Sequence, residues 1–322
     1  MTLSEFDLIT RFFSATPDPA AGVQIGVGDD AAVVQVPPGH ELVMALDTLV
    51  AGVHFPEDTP ARAVGHKALA VNLSDMAAMG AVPNWLLLGL TLPQADEDWV
   101  AEFSRGLKTL ADQHRVALIG GDTTHGPLTV TVQINGLLPQ GEALRRSGAR
   151  PGDLIYVSGQ LGDAGLGLML AQRSRDLDLS PSRGDYFLQR LHTPTPRLAL
   201  GQALRGVASA AIDISDGLLA DLGHILAASG VGARLELERL PVAEEVRALS
   251  QRWWQLPLCA GDDYELCFTV PPHRESLLEA RLESLNCPCT CIGEMVTGGG
   301  MRLQYHGAEV ETPERQGYRH FD

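Results

Sequence analysis

Six short segments of the chain place an aspartate beside glycine, serine or threonine at the margin of an apolar run. They are VGDDA (27–31), LDT (46–48), NLSDMAAMG (72–80), IGGDTT (119–124), IDISDGL (212–218) and AGDDYEL (260–266). The pattern assigns Asp29, Asp30, Asp47, Asp75, Asp122, Asp213, Asp216, Asp262 and Asp263 to strand ends and helix starts, away from solvated faces. A single aspartate in such a place is a helix cap or a turn residue. Six such places in one chain point to carboxylates that converge. Converging anions repel unless hard cations hold them, and Mg²⁺ shared between carboxylates and substrate phosphates is the commonest arrangement of that kind.

Length and charge narrow the setting. The 322 residues suffice for two domains of ordinary size. A net charge of −16 argues against nucleic acid and anionic membrane as partners, because both require a basic surface. It suits a protein that concentrates divalent cations, and equally a solubilising acidic surface. Lys67 and Lys108 are the only lysines and neither follows a glycine, so a G-x-x-x-x-G-K-[ST] phosphate loop is absent. No H-R-D or D-F-G kinase pattern occurs. Cys259, Cys267, Cys287, Cys289 and Cys291 all lie in the last fifth of the chain. A strand would place Cys287, Cys289 and Cys291 on one face, but their spacing is not that of a zinc site. The odd count, with no leader pattern at the start, predicts reduced thiols in the cytoplasm. The opening MTLSEFDLITRFF reads as an amphipathic helix capped by Ser4, and the apolar stretch 76–92, broken by Pro83 and Asn84, is too short to span a bilayer.

Periodicity predicts strands over 33–36, 41–50, 85–92, 116–121 and 128–138, with helices over 60–79 and 96–114 between them. The second helix opens at Asp96 and carries Trp99, Phe103, Leu107 and Leu110 at helical spacing. The segment PQGEALRRSGARPGD (139–153) has no apolar period and marks a boundary. Beyond it come strands over 154–159, 208–214, 233–237, 263–270, 289–296 and 301–305. Helices are predicted over 162–173, 184–192, 196–205, 216–229 and 274–285. Strands and helices alternate in both halves, so the fold class is α/β (α+β) in two domains. NLSDMAAMG and DISDGLLADLG, and GGDTT and GDDYE, form a faint internal echo of two related halves.

The chemistry legible in these segments is that of charge neutralisation. NLSD and DISD read as strand ends that open helices, where an N-terminus attracts anions. Ser74 and Ser215 in the cap positions would leave Asp75, Asp213 and Asp216 for metal; the aspartates as caps is the alternative. The glycines of GGDTT permit close approach of a phosphate. Arg145 and Arg146 are either phosphate ligands or part of a solvated basic linker.

Taken in order, GDDAA, DTLVAGVHF, KALAVNLSDMAAMGA, GGDTT, RSGARPGD, DISDGL and GDDYELCF resemble the thiamine-monophosphate kinases of the aminoimidazole-ribonucleotide-synthetase-like superfamily, over residues 5 to 321. The resemblance implies ATP-dependent phosphorylation of thiamine phosphate to thiamine diphosphate, by direct in-line transfer with several Mg²⁺ ions. It also implies a homodimer whose N-terminal sheets join in a barrel. It assigns residues 1–140 to an ATP- and metal-binding and dimerisation domain, and 150–322 to an α/β domain that completes the nucleotide and substrate site. Matched residue by residue, Asp30, Asp47, Asp75, Asp122, Asp213 and Asp216 would hold metal, with Asp30, Asp75, Asp122 and Asp213 carrying catalysis. Gly121, Asp122, Arg146 and Ser215 would contact ATP, and His54, Asp263 and Tyr318 the substrate. The family often has Ser-Thr where Ala45 and Leu46 stand, and Trp where Arg315 stands; the metal hydroxyls and one aromatic contact are thereby lost. The closing PERQGYRHFD (313–322) is polar by composition, and the resemblance implies that it packs beside the GDDYE loop.

Overall fold

A computed structural model describes residues 5–14, 22–174 and 177–321. The chain divides into two units, Met1–Met76 with Ala81–Gly141, and Ala77–Gly80 with Glu142–Asp322. The mixed α/β architecture agrees with the sequence pattern in both.

In the first unit, α1 (Glu5–Leu8) runs into a π turn at Ile9–Phe13. The Ser4 cap expected for it lies outside the described residues. A two-stranded ribbon of β1 (Val23–Ile25) and β2 (Val33–Val34) follows. Then come β3 (His40–Val50), α2 (Ala61–Ala78), β4 (Val82–Leu92), α3 (Glu97–His114), β5 (Ala117–His125) and β6 (Thr129–Pro139). The four long strands form a sheet in the order β3-β6-β4-β5, parallel only between β4 and β5, which α3 connects. α3 starts where the sequence predicts: the Asp96 carboxylate accepts the Trp99 amide at 3.1 Å.

Strand alternation gives this sheet two distinct faces. Leu86, Leu88 and Leu90 of β4 and Val130, Val132 and Ile134 of β6 are buried on one of them. α2 lies on that face, with Met76 packed against Gly136. On the other face Trp85 and Ile119 pack with Val23 of the ribbon. There the edge strand β3 leaves Met44 62% and Leu46 59% exposed, with Leu42 beside them.

α2 and α3 approach so closely that only glycine fits at the crossing. A Cβ on Gly65 would lie 2.1 Å from the Phe103 carbonyl, and one on Gly106 would lie 2.0 Å from the Arg62 carbonyl. Both contacts are with backbone, which cannot swing aside as a side chain can.

The second unit holds a seven-stranded sheet in the order β13-β12-β9-β11-β7-β10-β8. Its strands are β7 (Leu154–Ser158), β8 (Ala210–Asp213), β9 (Gly232–Glu236), β10 (Leu266–Val270), β11 (Cys289–Val296), β12 (Met301–Tyr305) and β13 (Ala308–Val310). Its helices are α4 (Asp163–Ala171), α5 (Pro181–His192), α6 (Leu198–Ala203), α7 (Leu218–Ser229), α8 (Glu244–Arg247), α9 (Gln255–Cys259) and α10 (Glu275–Leu282). Ile155, Val157, Ile212, Leu219, Leu222 and Ile225 belong to one core that joins β7, β8 and α7.

Three local expectations are corrected. NLSD does not end a strand: residues 72–75 lie inside α2, and Ser74 is fully buried, so neither Ser74 nor Asp75 caps a helix. The strand predicted over 116–121 does not stop within GGDTT: β5 carries the whole segment and continues to His125. Residues 263–265 precede β10, because the chain there turns through left-handed backbone that no strand accommodates.

The glycine crossing yields a stability prediction. Gly65→Ala or Gly106→Ala should lower stability by about 1–3 kcal/mol, the usual range for overpacking, read as a fall in urea midpoint at unchanged m-value. An unchanged midpoint would show that the two helices separate without cost.

Candidate functional site

In the first unit the structure brings Asp47 and Asp75 together. Asp47 points from β3 toward α2 and shares a hydrogen bond with Asp75; burial pushes the Asp47 acid above its usual range, and that bond partly opposes the rise. Lys67, on the same helix, is 2% exposed, and its ammonium donates to the His54 carbonyl at 3.4 Å. The His54 ring accepts the Val50 amide through Nδ1 at 3.0 Å. Asn72, also within α2, is buried with its Oδ1 unpaired among the described groups. Sequence reasoning missed Lys67 and Asn72. The signal it passed over was a lysine and an asparagine in an otherwise apolar run.

Asp30 and Asp122 stand elsewhere in this unit. Asp30 is exposed in a turn, where its amide donates to the Asp29 carboxylate at 2.8 Å. Asp122 is exposed on β5, level with Gly89 and Thr131. Asp47 is level with Val132, Leu88 and Gly121, the adjacent row. Neighbouring rows point to opposite faces, so Asp47 and Asp122 occupy opposite edges and opposite faces of the sheet. Gly121, read as an ATP contact, is required by packing as well: a Cβ there would lie 2.0 Å from the Leu88 carbonyl. Among the described residues no three His, Cys, Asp or Glu side chains are grouped to hold a metal ion.

In the second unit the turn between β8 and α7 is the centre. Asp213, at the end of β8, is 5% exposed. Ser215 is not the helix cap that the sequence suggests. Instead Asp221, from the first turn of α7, accepts the amides of Ser215, Asp216 and Gly217 at 3.0, 3.1 and 3.0 Å. Burial, and then the negative charges of Asp213 and Asp216, push the Asp221 acid up to about 8. Asp216 also sits above the usual carboxylate range because of burial, opposed by the nearby charges of His320, His224 and Arg146. The turn thus gathers Arg146, Ser215, Asp213 and Asp216 as expected, and adds Asp221.

Two further segments close on the same turn. Gly261 of the GDDYE loop nests on Ser215 and Asp216, where a Cβ would lie 2.2 Å from the Ser215 carbonyl. Asp262 and Tyr264 have φ of +69° and +49°, left-handed values that carry strain in non-glycine residues. The amides of Asp262 and Tyr264 are fixed to the carbonyls of Ser215 and Ile214 at 2.9 and 2.8 Å. The C-terminal segment meets the turn too: the Tyr318 amide donates to the Asp216 carbonyl at 3.0 Å. Tyr318 itself is 36% exposed, with its ring edge-on to His320.

Asp263, expected at the substrate, is held by backbone in this structure. It is fully buried, and its oxygens accept the amides of Gly162 and Ala164 at 2.7 and 3.2 Å, which caps α4. Burial raises its acid to about 7, although Arg190 and the two amides oppose the rise. Glu265 beside it is also fully buried and holds Arg190, Arg197 and the Ser158 hydroxyl.

Two family models match the two units in turn: AIR synthase related protein, N-terminal domain, matches residues 28–138, and AIR synthase related protein, C-terminal domain, matches 150–306. The chain belongs to that family of two-domain proteins and, within it, to the thiamine-monophosphate kinases. It is 46% identical to the thiamine-monophosphate kinase of Salmonella typhimurium over 327 residues, covering 100% of this chain and 99% of the relative. The crystal structure of the Stenotrophomonas maltophilia thiamine-monophosphate kinase superposes with a TM-score of 0.83 at 45% identity, covering 96% of this chain and 99% of that one. A structure described as AaThiL complexed with AMPPCP and TMP superposes with a TM-score of 0.76 at 31% identity, covering 98% and 97%. Hydrogenase maturation proteins HypE share the fold at 20% identity. No helix among the described residues is long and apolar enough to cross a membrane.

The buried acid at Asp263 gives a pH prediction. Its folded value, about 7, lies above the unfolded carboxylate value of 3.8. Its contribution is therefore complete below about pH 4 and is lost as pH rises through 7. The melting temperature should fall between pH 5 and pH 8.5, and Asp263→Asn should flatten that slope. A variant as pH-sensitive as the parent would place the titrating group elsewhere.

Proposed function

We propose that the protein transfers the γ-phosphoryl group of ATP directly to thiamine phosphate, giving thiamine diphosphate. The end-to-end likeness to thiamine-monophosphate kinases carries this reading. The site chemistry supports it. Phosphoryl transfer asks for positioning and charge neutralisation more than for a protein nucleophile, and the acceptor phosphate is itself nucleophilic at neutral pH.

The carboxylates present fit Mg²⁺: the donors are all hard oxygens, and Asp47 and Asp75 share a hydrogen bond across a repulsion that a divalent cation would relieve. Asp30, Asp47, Asp75 and Asp122 would hold Mg²⁺ from the first unit, and Asp213 and Asp216 from the second. The ions supply neutralisation of the phosphate oxygens. Arg146 and the backbone at Gly121 and Ser215 serve the nucleotide. Asp221 fixes the amides of the Asp216 turn and so sets where that carboxylate points. His54 and Tyr318 serve thiamine phosphate, with the Tyr318 face turned to the positively charged ring system. Asp263 positions the GDDYE loop instead of touching substrate. Residues 1–140 would bind metal and ATP and pair with a second copy, and 150–322 would complete the site. The exposed Leu42, Met44 and Leu46 of β3 are the surface that suits a homodimeric barrel.

Purified protein should convert thiamine phosphate with ATP, leave free thiamine unphosphorylated, and lose activity on chelation of Mg²⁺. Comparable turnover of thiamine would overturn the substrate assignment. Asp75→Asn should cost at least about 100-fold in kcat, the scale of a lost electrostatic contact to the transition state, with the fold retained. Tyr318→Ala should raise KM for thiamine phosphate and leave KM for ATP nearly unchanged; equal weakening of both would assign the tail to folding alone.

A further inference from the structure

The phosphoryl-transfer reading leaves the cysteines unused, and two of them form a pair. Cys287 lies in the loop before β11, Pro288 follows it, and Cys289 opens the strand. Both are partly accessible free thiols. The Cys289 thiol lies 3.7 Å from the Cys287 carbonyl, and the two sulfurs are close enough to shift each other's acidity in opposite directions. The Gly159 amide anchors this loop through the Pro288 carbonyl at 2.9 Å and also faces the Cys287 sulfur. The Arg197 guanidinium lies close to both sulfurs.

The charge balance around the pair favours an anion on sulfur. Two guanidiniums, Arg190 and Arg197, converge on one buried carboxylate, Glu265. Arg190 also approaches Asp163, at 3.9 Å, and Asp163 is held above its usual range by burial. Arg197 has Cys287 and Cys289 beside it.

We propose that Cys287 and Cys289 form a peroxide-reactive dithiol, with Cys287 as the attacking sulfur and Cys289 as the resolving one. In the first step the Cys287 thiolate attacks one oxygen of hydrogen peroxide. An S–O bond forms, the O–O bond breaks, and hydroxide leaves, so Cys287 becomes a sulfenic acid. In the second step the Cys289 sulfur attacks the sulfenic sulfur. The S–S bond forms, the S–O bond breaks, and the hydroxide released takes the Cys289 proton as water. The two sulfurs are oxidised by two electrons in total, and the peroxide is reduced to water.

The surroundings support these roles. The neighbouring Cys289 thiol, then Arg197 and the Gly159 amide, hold the Cys287 thiol down to about 7, against burial and Glu265. Cys289 is pushed up by the same pairing and by burial. A thiol near neutrality is the reactive kind. The other cysteines lack this setting: burial raises Cys259 to about 11 and raises Cys267 and Cys291 above the ordinary thiol range. A disulfide that spans a single intervening residue is strained, and strained disulfides are the reducible, regulatory ones.

The test uses the full-length protein and hydrogen peroxide, read by intact mass and peptide mapping. Oxidised protein should lose two hydrogens, map the new bond to Cys287–Cys289, and recover its mass with dithiothreitol. Cys289→Ser should instead accumulate a sulfenic acid at Cys287 that dimedone traps. In the unaltered reduced protein at pH 7, iodoacetamide should label Cys287 about ten times faster than Cys291, as its larger thiolate fraction requires. First oxidation at Cys259 or Cys291, or equal labelling of Cys287 and Cys291, would overturn the proposal. None of these readouts depends on kinase activity.

Discussion

Repulsion between carboxylates is the constraint on which both units depend. Against that repulsion, in a chain of net charge −16, the fold gathers several acidic groups away from solvent. It holds each gathered group with backbone amides or a partner acid. Asp221 accepts three consecutive amides of the turn before α7. Asp263 accepts two amides at the start of α4. Asp47 leans on Asp75. Hydrogen bonds to the charged form favour it and burial disfavours it. All three raised acids show burial winning. Protonation relieves that cost at each of them.

The same logic explains the strained loop. Asp262 and Tyr264 adopt left-handed backbone on either side of Asp263. Each donates its backbone amide in a hydrogen bond to the β8–α7 turn, and Glu265 closes the set by accepting the Ile214 amide through its carbonyl at 2.7 Å. The strain is held because Asp263 must turn inward to the start of α4, while Asp262 accepts the Tyr264 hydroxyl and lies near Asp216. Two adjacent aspartates therefore do different work, one as a cap and one near the acidic turn.

Much of this was legible in the sequence where the signal was local. The Asp96 cap of α3, the alternation of β6 and the strands over 289–296 and 301–305 follow rules that involve only neighbouring residues. The acidic turn at 213–216 was also found, because a strand end followed by Ser-Asp-Gly is a local pattern. What was missed depends on partners distant in sequence. Asp221 looks like an ordinary polar residue of an amphipathic helix until its carboxylate is seen to reach back to the turn. The cap that Asp263 makes was not legible, because nothing near it in the chain reveals the amides of Gly162 and Ala164, about a hundred positions away. NLSD was misread because a buried polar run inside a helix imitates a helix start.

Register sets a last requirement on the first unit. Asp47 and Asp122 belong to the two edge strands of one four-stranded sheet and to adjacent rows. Three strand spacings separate the edges, about 14 Å at the usual interval, and the side chains leave opposite faces. A metal–oxygen bond spans only about 2 Å, so no single ion reaches both carboxylates across this sheet. Any cation cluster that uses both must therefore be bridged by oxygens that the sheet does not supply. Polyphosphate oxygens are of that kind, and they would add to Arg146, whose positive charge already lies beside the Asp216 turn.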